Sequence, residues 1–405
     1  MKIALADGGS PHNKGDAAIY HGIIKMVKEA CPSEELIYFS DHPNLAKKEY
    51  AIDKCHYSKY ACDYKGFSNW LPHNKLKLLW RAIRTKLWFW TNWNWLLYEQ
   101  EKETFNALKN CDVYISSGGS IINDYYWSTL YYNLMWWNYL RKKGKKVIIL
   151  AHSVDPIKTL PYKNYLRKTL DKVDLIAIRE NLSHDYLKDL GCNLKNVRQA
   201  GDAAFLFDFK DGKSALDVKK PAIAISSRFW KWFEGKQQEV YKQALIDIAK
   251  YLNHEGGGYN IYFISTGWDE QLNDLEFANT LRPRINVQTY ALGKEPSAKE
   301  LAKTLAQFDL MIGTRMHSTI LSMLNYVPCV GTLYEDKTRG VFQSLGLGNY
   351  VLDIKTLTFE TLKEKVDMAL ANRENIITLL KKSIPREREK AKLNIKYLKE
   401  VLYGE

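Results

Sequence analysis

The sequence predicts an α/β protein made of two doubly wound, Rossmann-like domains that face one another across a cleft. Three observations predict it. The 405 residues exceed what one hydrophobic core usually supports. Short apolar runs alternate with longer helical patterns along most of the chain. A polar stretch at 208–221, DFKDGKSALDVKKP, interrupts that alternation, which then restarts.

The elements follow in order. KIALAD reads as a buried first strand, followed by the helix DAAIYHGIIKMVKEA. CDVYISSGG, KKVIILAHS and VDLIAIRE are further strands, each leading into a helical pattern. After the polar stretch come PAIAISS, YNIYFIST, FDLMIGT and PCVGTLY, again with helices between them. We read domain boundaries at 1–212 and 213–405, the second domain ending in a basic helix. Ligands of such sheets lie beyond the carboxyl ends of the strands, so the strand-end loops are where chemistry is expected.

Composition narrows the classes. The hydrophobic content of 46% fits a globular chain rather than a disordered one, and no run of 18 apolar residues suggests a membrane span. Six scattered cysteines form no C-x-x-C pair, which argues against a zinc ribbon or thioredoxin-type site and suits the reduced thiols of a cytoplasmic protein. No H-E-x-x-H spacing occurs, so metal independence is expected; no cofactor is expected either. A net charge of +13 suggests an anionic partner, but two segments carry nearly all of it. Residues 64–98 hold six basic and no acidic side chains, and residues 381–399 hold eight basic and two acidic ones.

The strand-end loops carry candidate residues. GGSPHNKGDAAI follows the first strand and opens a helix at Asp16; Gly8, Gly9 and Gly15 allow close backbone approach, and a helix start favours anions. A tight turn capped by Asp16 is the alternative reading. SSGGSIIND and HSVDP follow two later strands, with Asp124 and His152 as polar handles, and Asp124 reads equally as a helix cap. Arg179 and Arg228 end one strand in each domain, where a guanidinium suits capture of carboxylate or phosphate; an interdomain salt bridge is the alternative. The densest segment is FDLMIGTRMHSTILSMLNYVPCVGTLYEDKTRG. Its strand ends at Gly313, and Arg315 and His317 lie two apart at the start of a helix. One cation beside one titratable imidazole is the minimum for acid–base chemistry on a phosphorylated substrate.

NKGDAAI, SGGSIIND, IAIRENLSHDYLKDLG and GTRMHSTILSMLNYVPCVGTLYEDKTRGVFQSLGL together resemble the polysaccharide pyruvyl transferase family, in the right order over nearly the whole chain. The resemblance implies two α/β domains arranged as in GT-B glycosyltransferases. It also implies transfer of the enolpyruvyl unit of phosphoenolpyruvate onto two hydroxyls of one sugar, giving a carboxyethylidene ketal and phosphate. It assigns Arg315 and Arg179 to the phosphate and carboxylate of phosphoenolpyruvate and makes His317 the catalytic imidazole, which we read as general acid toward the methylene carbon. Arg228, Gly313 and Ser318 join the donor side. Asn13, Asp16, Gly119, Asp124 and His152 are assigned to the glycan acceptor. The chain departs from the family pattern in SPHNKGD, where a Gly-Asn pair is common, in SGGS, where a triple glycine is common, and at Asp155, where a glycine is common. These departures leave acceptor identity open.

Residues 64–98 break the α/β alternation. Leu76, Leu79, Trp80, Ile83, Leu87 and Trp90 recur at helical spacing beside Lys65, Lys75, Lys77, Arg81, Arg84 and Lys86, with Trp70, Trp88, Trp93 and Trp95 nearby. This is the composition of an interfacial helix on anionic lipid, and a helix packed on its own domain is the alternative. We therefore expect peripheral contact with the inner face of the cell membrane and a lipid-linked acceptor. Two further readings stay open: a nucleotide-sugar glycosyltransferase of the same architecture, and a non-catalytic glycan-binding protein. Nucleic acid is not expected, since no RRM, KH or helix-turn-helix signature is present.

Overall fold

In a computed structural model that describes residues 1–60, 75–159, 161–229, 235–269, 273–334 and 336–404, the chain forms two compact units. The first comprises Met1–Pro11, Ile19–Ala203 and Lys390–Glu405, and the second comprises His12–Ala18 and Ala204–Glu389. The division near 203/204 precedes the expected 212/213. Two short segments also fall differently from the sequence reading. Residues 12–18 belong to the second unit, and 390–405, the end of the basic helix Arg373–Tyr403, belongs to the first. A linear pattern of strands and helices carries no signal for such exchanges, because they are decided by long-range contacts.

The first unit holds strands β1 (Lys2–Ala6), β2 (Glu35–Ser40), β3 (Cys55–Tyr57), β4 (Val113–Ile122), β5 (Lys146–Val154), β6 (Leu175–Ile178) and β7 (Val197–Gln199), in the order β3-β2-β1-β4-β5-β6-β7. The second holds β8 (Ala222–Ser226), β9 (Asn260–Phe263), β10 (Thr289–Ala291), β11 (Leu310–Gly313), β12 (Cys329–Leu333) and β13 (Val351–Asp353), in the order β10-β9-β8-β11-β12-β13. Every paired strand among these is parallel. Runs such as AIAIS and LMIG are buried throughout, as parallel strands covered on both faces must be, and each aliphatic side chain so buried contributes about 1.5–3 kcal/mol. The strand order reverses at β1/β4 and at β8/β11. Those are the points where crossovers leave on opposite faces and a crevice opens at the carboxyl ends.

Two expected loops are strand instead. β4 continues through Ser116–Ile122, with Gly118 at φ +21°, Gly119 at φ +125° and a register shift between Gly119 and Ile122. β5 likewise runs through His152 to Val154. Glycine pairs usually signal a turn; here they serve an irregularity within a long strand.

The expected interfacial helix spans Lys75–Thr91; Lys65 and Trp70 lie outside the described residues. Trp80, Ile83, Leu87 and Trp90 are exposed along one face, and Trp93 and Trp95 beyond its end are exposed and stacked on each other. The opposite face buries Ala82, Thr85 and Trp88. Arg84 and Arg81 do not form the expected solvated cationic face, whereas Lys86 is exposed. Arg84 is buried and paired bidentately with Glu101 at 2.6 and 2.8 Å, Arg81 lies over the Tyr132 ring at 4.8 Å, and Lys86 reaches the Tyr131 hydroxyl at 3.1 Å. Among the described residues no helix is long and apolar enough to cross a membrane.

Candidate active site

Beyond the carboxyl ends of β8 and β11, the second unit gathers most of the residues expected to carry chemistry. Gly313 closes β11, where a Cβ would lie 2.4 Å from Thr319 Cγ2, so only glycine fits. Arg315 then caps the helix Met316–Met323. Its guanidinium is buried and held along one edge by Asp274: Nη2 donates to Oδ1 at 2.7 Å and Nε lies 2.6 Å from Oδ2. Burial opposes the charge, but the Asp274 carboxylate outweighs it, with smaller help from Asp16, and Arg315 stays protonated more firmly than a free arginine. Asp274 is fixed in turn, since Oδ2 accepts from the Thr266 and Gly267 amides at 3.2 and 2.9 Å. Ser318, expected on the donor side, turns its hydroxyl inward and donates to Arg315 O at 2.6 Å, so it shapes the helix start.

His317 is half-buried in the first turn of that helix, against Gly15 in the first turn of the helix that the first loop opens, Lys14–Ala30. A Cβ on Gly15 would stand 2.5 Å from His317 Cβ and 2.9 Å from Nδ1. The glycine therefore lets the first loop lie directly on the imidazole. That loop is stitched to the strand-end segment after β9, with Lys14 N donating to Thr266 O at 2.8 Å and Trp268 N to His12 O at 3.1 Å. Asn13, not Asp16, caps the helix Lys14–Ala30: its Oδ1 accepts from Gly15 N at 3.1 Å and its carbonyl from Ala17 N at 2.9 Å. Asp16 sits in the first turn and accepts from Asn13 Nδ2 at 2.9 Å. Asn13 and Asp16, expected on the acceptor side of the first domain, thus belong with His317 and Arg315. Arg228 follows β8, donates to the Tyr334 hydroxyl at 2.5 Å and lies 5.0 Å from the centre of that ring. Buried hydroxyls of Tyr241, Thr314 and Thr332, each 2.8 Å from the next, tie the helix Lys236–Asn253 to the ends of β11 and β12.

The remaining expected residues belong to the first unit. Arg179 follows β6, and its guanidinium is committed locally: Nη1 donates to Asp202 at 2.7 Å and Nε to Ser153 Oγ at 2.6 Å. His152, expected as an acceptor contact, is completely buried in β5. Burial and the neighbouring Arg179 lower its pKa to about 4 and keep it neutral. Asp124 accepts from the Lys158 and Thr159 amides at 2.8 and 2.9 Å; burial opposes its charge, but these bonds prevail and hold the carboxyl below its ordinary range. It pins the loop before the helix Lys163–Leu170 and caps no helix through these bonds. Gly119 has open space where a side chain would be.

Asp274, Glu295, Lys14, His12 and Tyr334 complete the second unit's constellation without being singled out by the sequence. Their signals are slight: Asn273-Asp274 opens a helix, and Tyr334 directly follows a strand.

The sequence model of the polysaccharide pyruvyl transferase family matches residues 13–336, from the Asn13 cap through the Arg315/His317 turn and past Tyr334. The chain belongs to that family. It is a polysaccharide pyruvyltransferase. It is 26% identical to the amylovoran biosynthesis protein AmsJ of Erwinia amylovora, over 96% of both chains. Among solved structures it is similar to Anabaena Alr3699/HepE in complex with UDP-glucose, at a TM-score of 0.58 and 10% identity over the whole of both chains. It is also similar to a UDP-N-acetylglucosamine 2-epimerase, described as putative, of Listeria monocytogenes, at 0.62 and 10% identity over 98% of this chain and 94% of the other. At such identity these likenesses concern the fold alone: two parallel α/β sheets of the GT-B kind carry this family's chemistry.

Proposed function

We propose that this pyruvyltransferase takes phosphoenolpyruvate as donor and builds a carboxyethylidene ketal on two hydroxyls of one sugar in a glycan, releasing phosphate. The reading rests on one observation: a buried arginine gripped by Asp274 stands two residues from an imidazole lying on Gly15, where the sheet order reverses. The donor carries two anionic groups, and Arg315 with Arg228 supplies cations for them. Ketal formation adds a proton to the methylene carbon, and His317 is its donor. Among the described residues no group of three or more His, Cys, Asp or Glu is placed to hold a metal ion, and we expect turnover to survive EDTA. We propose that the reaction needs no cofactor besides the donor substrate.

The similarity to an amylovoran biosynthesis protein supports an acceptor from exopolysaccharide assembly, and we take that acceptor to be lipid-linked. The exposed face of Trp80, Ile83, Leu87, Trp90, Trp93 and Trp95 supports peripheral attachment to the membrane where such an acceptor resides. Because Arg81 and Arg84 are engaged within the protein, we take indole burial more than attraction to anionic lipid to drive that attachment.

The test is to incubate the purified chain with phosphoenolpyruvate and glycan acceptors, following phosphate release and the ketal methyl signal by proton NMR. His317→Ala is expected to abolish turnover and keep donor binding. The role implied for Arg179 is read from donor affinity in Arg179→Lys. Release of a nucleoside diphosphate from a nucleotide sugar, with phosphoenolpyruvate untouched, would overturn the reading.

A further inference from the structure

The first unit carries an exposed aromatic cluster at one of its strand ends. Tyr125, Tyr126 and Trp127 follow β4, at the carboxyl end of a strand beside which the sheet order reverses, and are 63%, 54% and 41% exposed. Single exposed rings are ordinary, whereas three in succession mark a contact surface. The backbone that carries them is fixed. Asn123 is buried; its Nδ2 donates to Ser120 O at 2.6 Å and its Oδ1 accepts from Tyr126 N at 2.9 Å. Asp155 N donates to Ile122 O at 3.0 Å, Asp124 accepts from the Lys158 and Thr159 amides, and the Tyr162 hydroxyl donates to Trp127 O. None of these bonds uses one of the three aromatic side chains, so the shape of the loop does not depend on them. Rings on a preorganised backbone bind at small entropic cost, since each has only two side-chain torsions to fix.

The chemistry of the surface fits a saccharide. The C–H bonds on one face of a pyranose present positive hydrogens to the negative face of an aromatic ring. Two carboxylates border the rings: Asp124 is the preceding residue, and Asp155 accepts from the Ser120 hydroxyl. Such carboxylates accept from sugar hydroxyls and repel the phosphate of a lipid headgroup, which favours a glycan over an anionic bilayer. Consecutive residues at a helix start point in different directions, so the rings fan out and suit more than one sugar of a chain. One turn further along the helix Trp127–Lys142, the Tyr131 hydroxyl accepts from Lys86 at 3.1 Å. The cluster therefore lies about a helical turn from the contact with helix Lys75–Thr91, whose exposed face is read above as membrane-bound.

We infer that Tyr125, Tyr126 and Trp127 form an acceptor subsite that binds successive sugars of the glycan by stacking, with Asp124 and Asp155 meeting sugar hydroxyls at its rim. The inference rests on the glycan-acceptor reading above. Sugars held here are not the ones that react, so the contacts stabilise ground state and transition state equally; they lower KM and leave kcat unchanged. They also set a preference for chain length. A single sugar covers at most one ring, whereas a longer glycan covers several.

The experiment uses the full chain with phosphoenolpyruvate and lipid-free gluco-, galacto- and manno-oligosaccharides from monosaccharide to tetrasaccharide, following phosphate release. The wild-type KM is expected to fall as the acceptor lengthens, with kcat level. Tyr125→Ser, Tyr126→Ser and Trp127→Ser should each raise the tetrasaccharide KM about threefold to tenfold, with kcat, calorimetric donor affinity and the urea midpoint held. Tyr126→Phe and Trp127→Phe, which keep a ring, should retain most of the wild-type affinity. A triple serine variant with the wild-type tetrasaccharide KM, or a rise in KM equal for every acceptor length, overturns the inference and leaves the pyruvyl transfer reading standing. Loss of vesicle flotation by that variant, with its KM for lipid-free glycans unchanged, overturns it as well and assigns the rings to the bilayer. A wild-type protein that releases phosphate from phosphoenolpyruvate with none of these glycans overturns the glycan-acceptor reading and the inference with it.

Discussion

Gly15→Ala tests whether the first loop sets the position of His317. The added methyl would stand 2.5 Å from His317 Cβ, 2.8 Å from Cγ and 2.9 Å from Nδ1, whereas ordinary contact begins at 3.4 Å. Either the loop or the histidine must therefore retreat by at least 0.9 Å, the difference between those distances. Rotating the side chain cannot relieve it, because the obstructing atom is Cβ, which is fixed to the helix backbone. A misplacement of about 1 Å in a reacting group costs on the order of 100-fold in rate. Gly15 lies in the first turn of a helix, where alanine would otherwise be favoured by up to about 1 kcal/mol, while overpacking costs about 1–3 kcal/mol. Unfolding in urea should thus show a neutral to modestly destabilised protein. Phosphate release should fall about 100-fold, and calorimetric donor affinity should hold because Asp274 still grips Arg315. A variant with undiminished kcat and raised stability would refute the contact and the positioning role drawn from it.

Other expected outcomes are open to measurement. Asp274→Asn leaves the buried Arg315 without its counter-charge, so the urea midpoint should drop by the equivalent of about 3 kcal/mol and the KM for phosphoenolpyruvate should rise. His152 titrates near 4 in the folded protein against 6.5 when unfolded, so the unfolded chain binds the extra proton between those values. Its contribution, on the order of 3 kcal/mol, is complete above pH 6.5 and fades as pH falls toward 4; His152→Asn should flatten that slope in thermal melts. Replacing Trp90, Trp93 and Trp95 by Ser should abolish flotation with zwitterionic vesicles, and raised salt should leave wild-type flotation intact, whereas salt-sensitive binding confined to anionic vesicles would contradict the indole-driven attachment.

The strands were legible because each is a short apolar run between turn residues, and a parallel sheet buried on both faces demands that pattern. Gly313, Arg315 and His317 were legible because strand, turn and helix start are adjacent in sequence. The extents of β4 and β5 were not, since their glycines and polar residues mimic turns while the strands continue, held by neighbouring strands. On helix Lys75–Thr91 the apolar stripe was legible from its period, whereas the fate of Arg81 and Arg84 depended on Tyr132 and Glu101 reached through tertiary packing.

The sequence by itself determined the α/β class, the strand-end turn with its arginine and histidine, and the family pattern that orders these segments. Those properties are local, written in residues a few positions apart. Only the tertiary structure decided that residues 12–18 join the second unit, that Gly15 lies on His317, that Asp274 grips Arg315, and that Glu295 holds His12 and Lys14. Each of these contacts joins residues 41 to 302 positions apart. Closing such distances depends on the burial free energy of the whole core, which no local window of the chain contains.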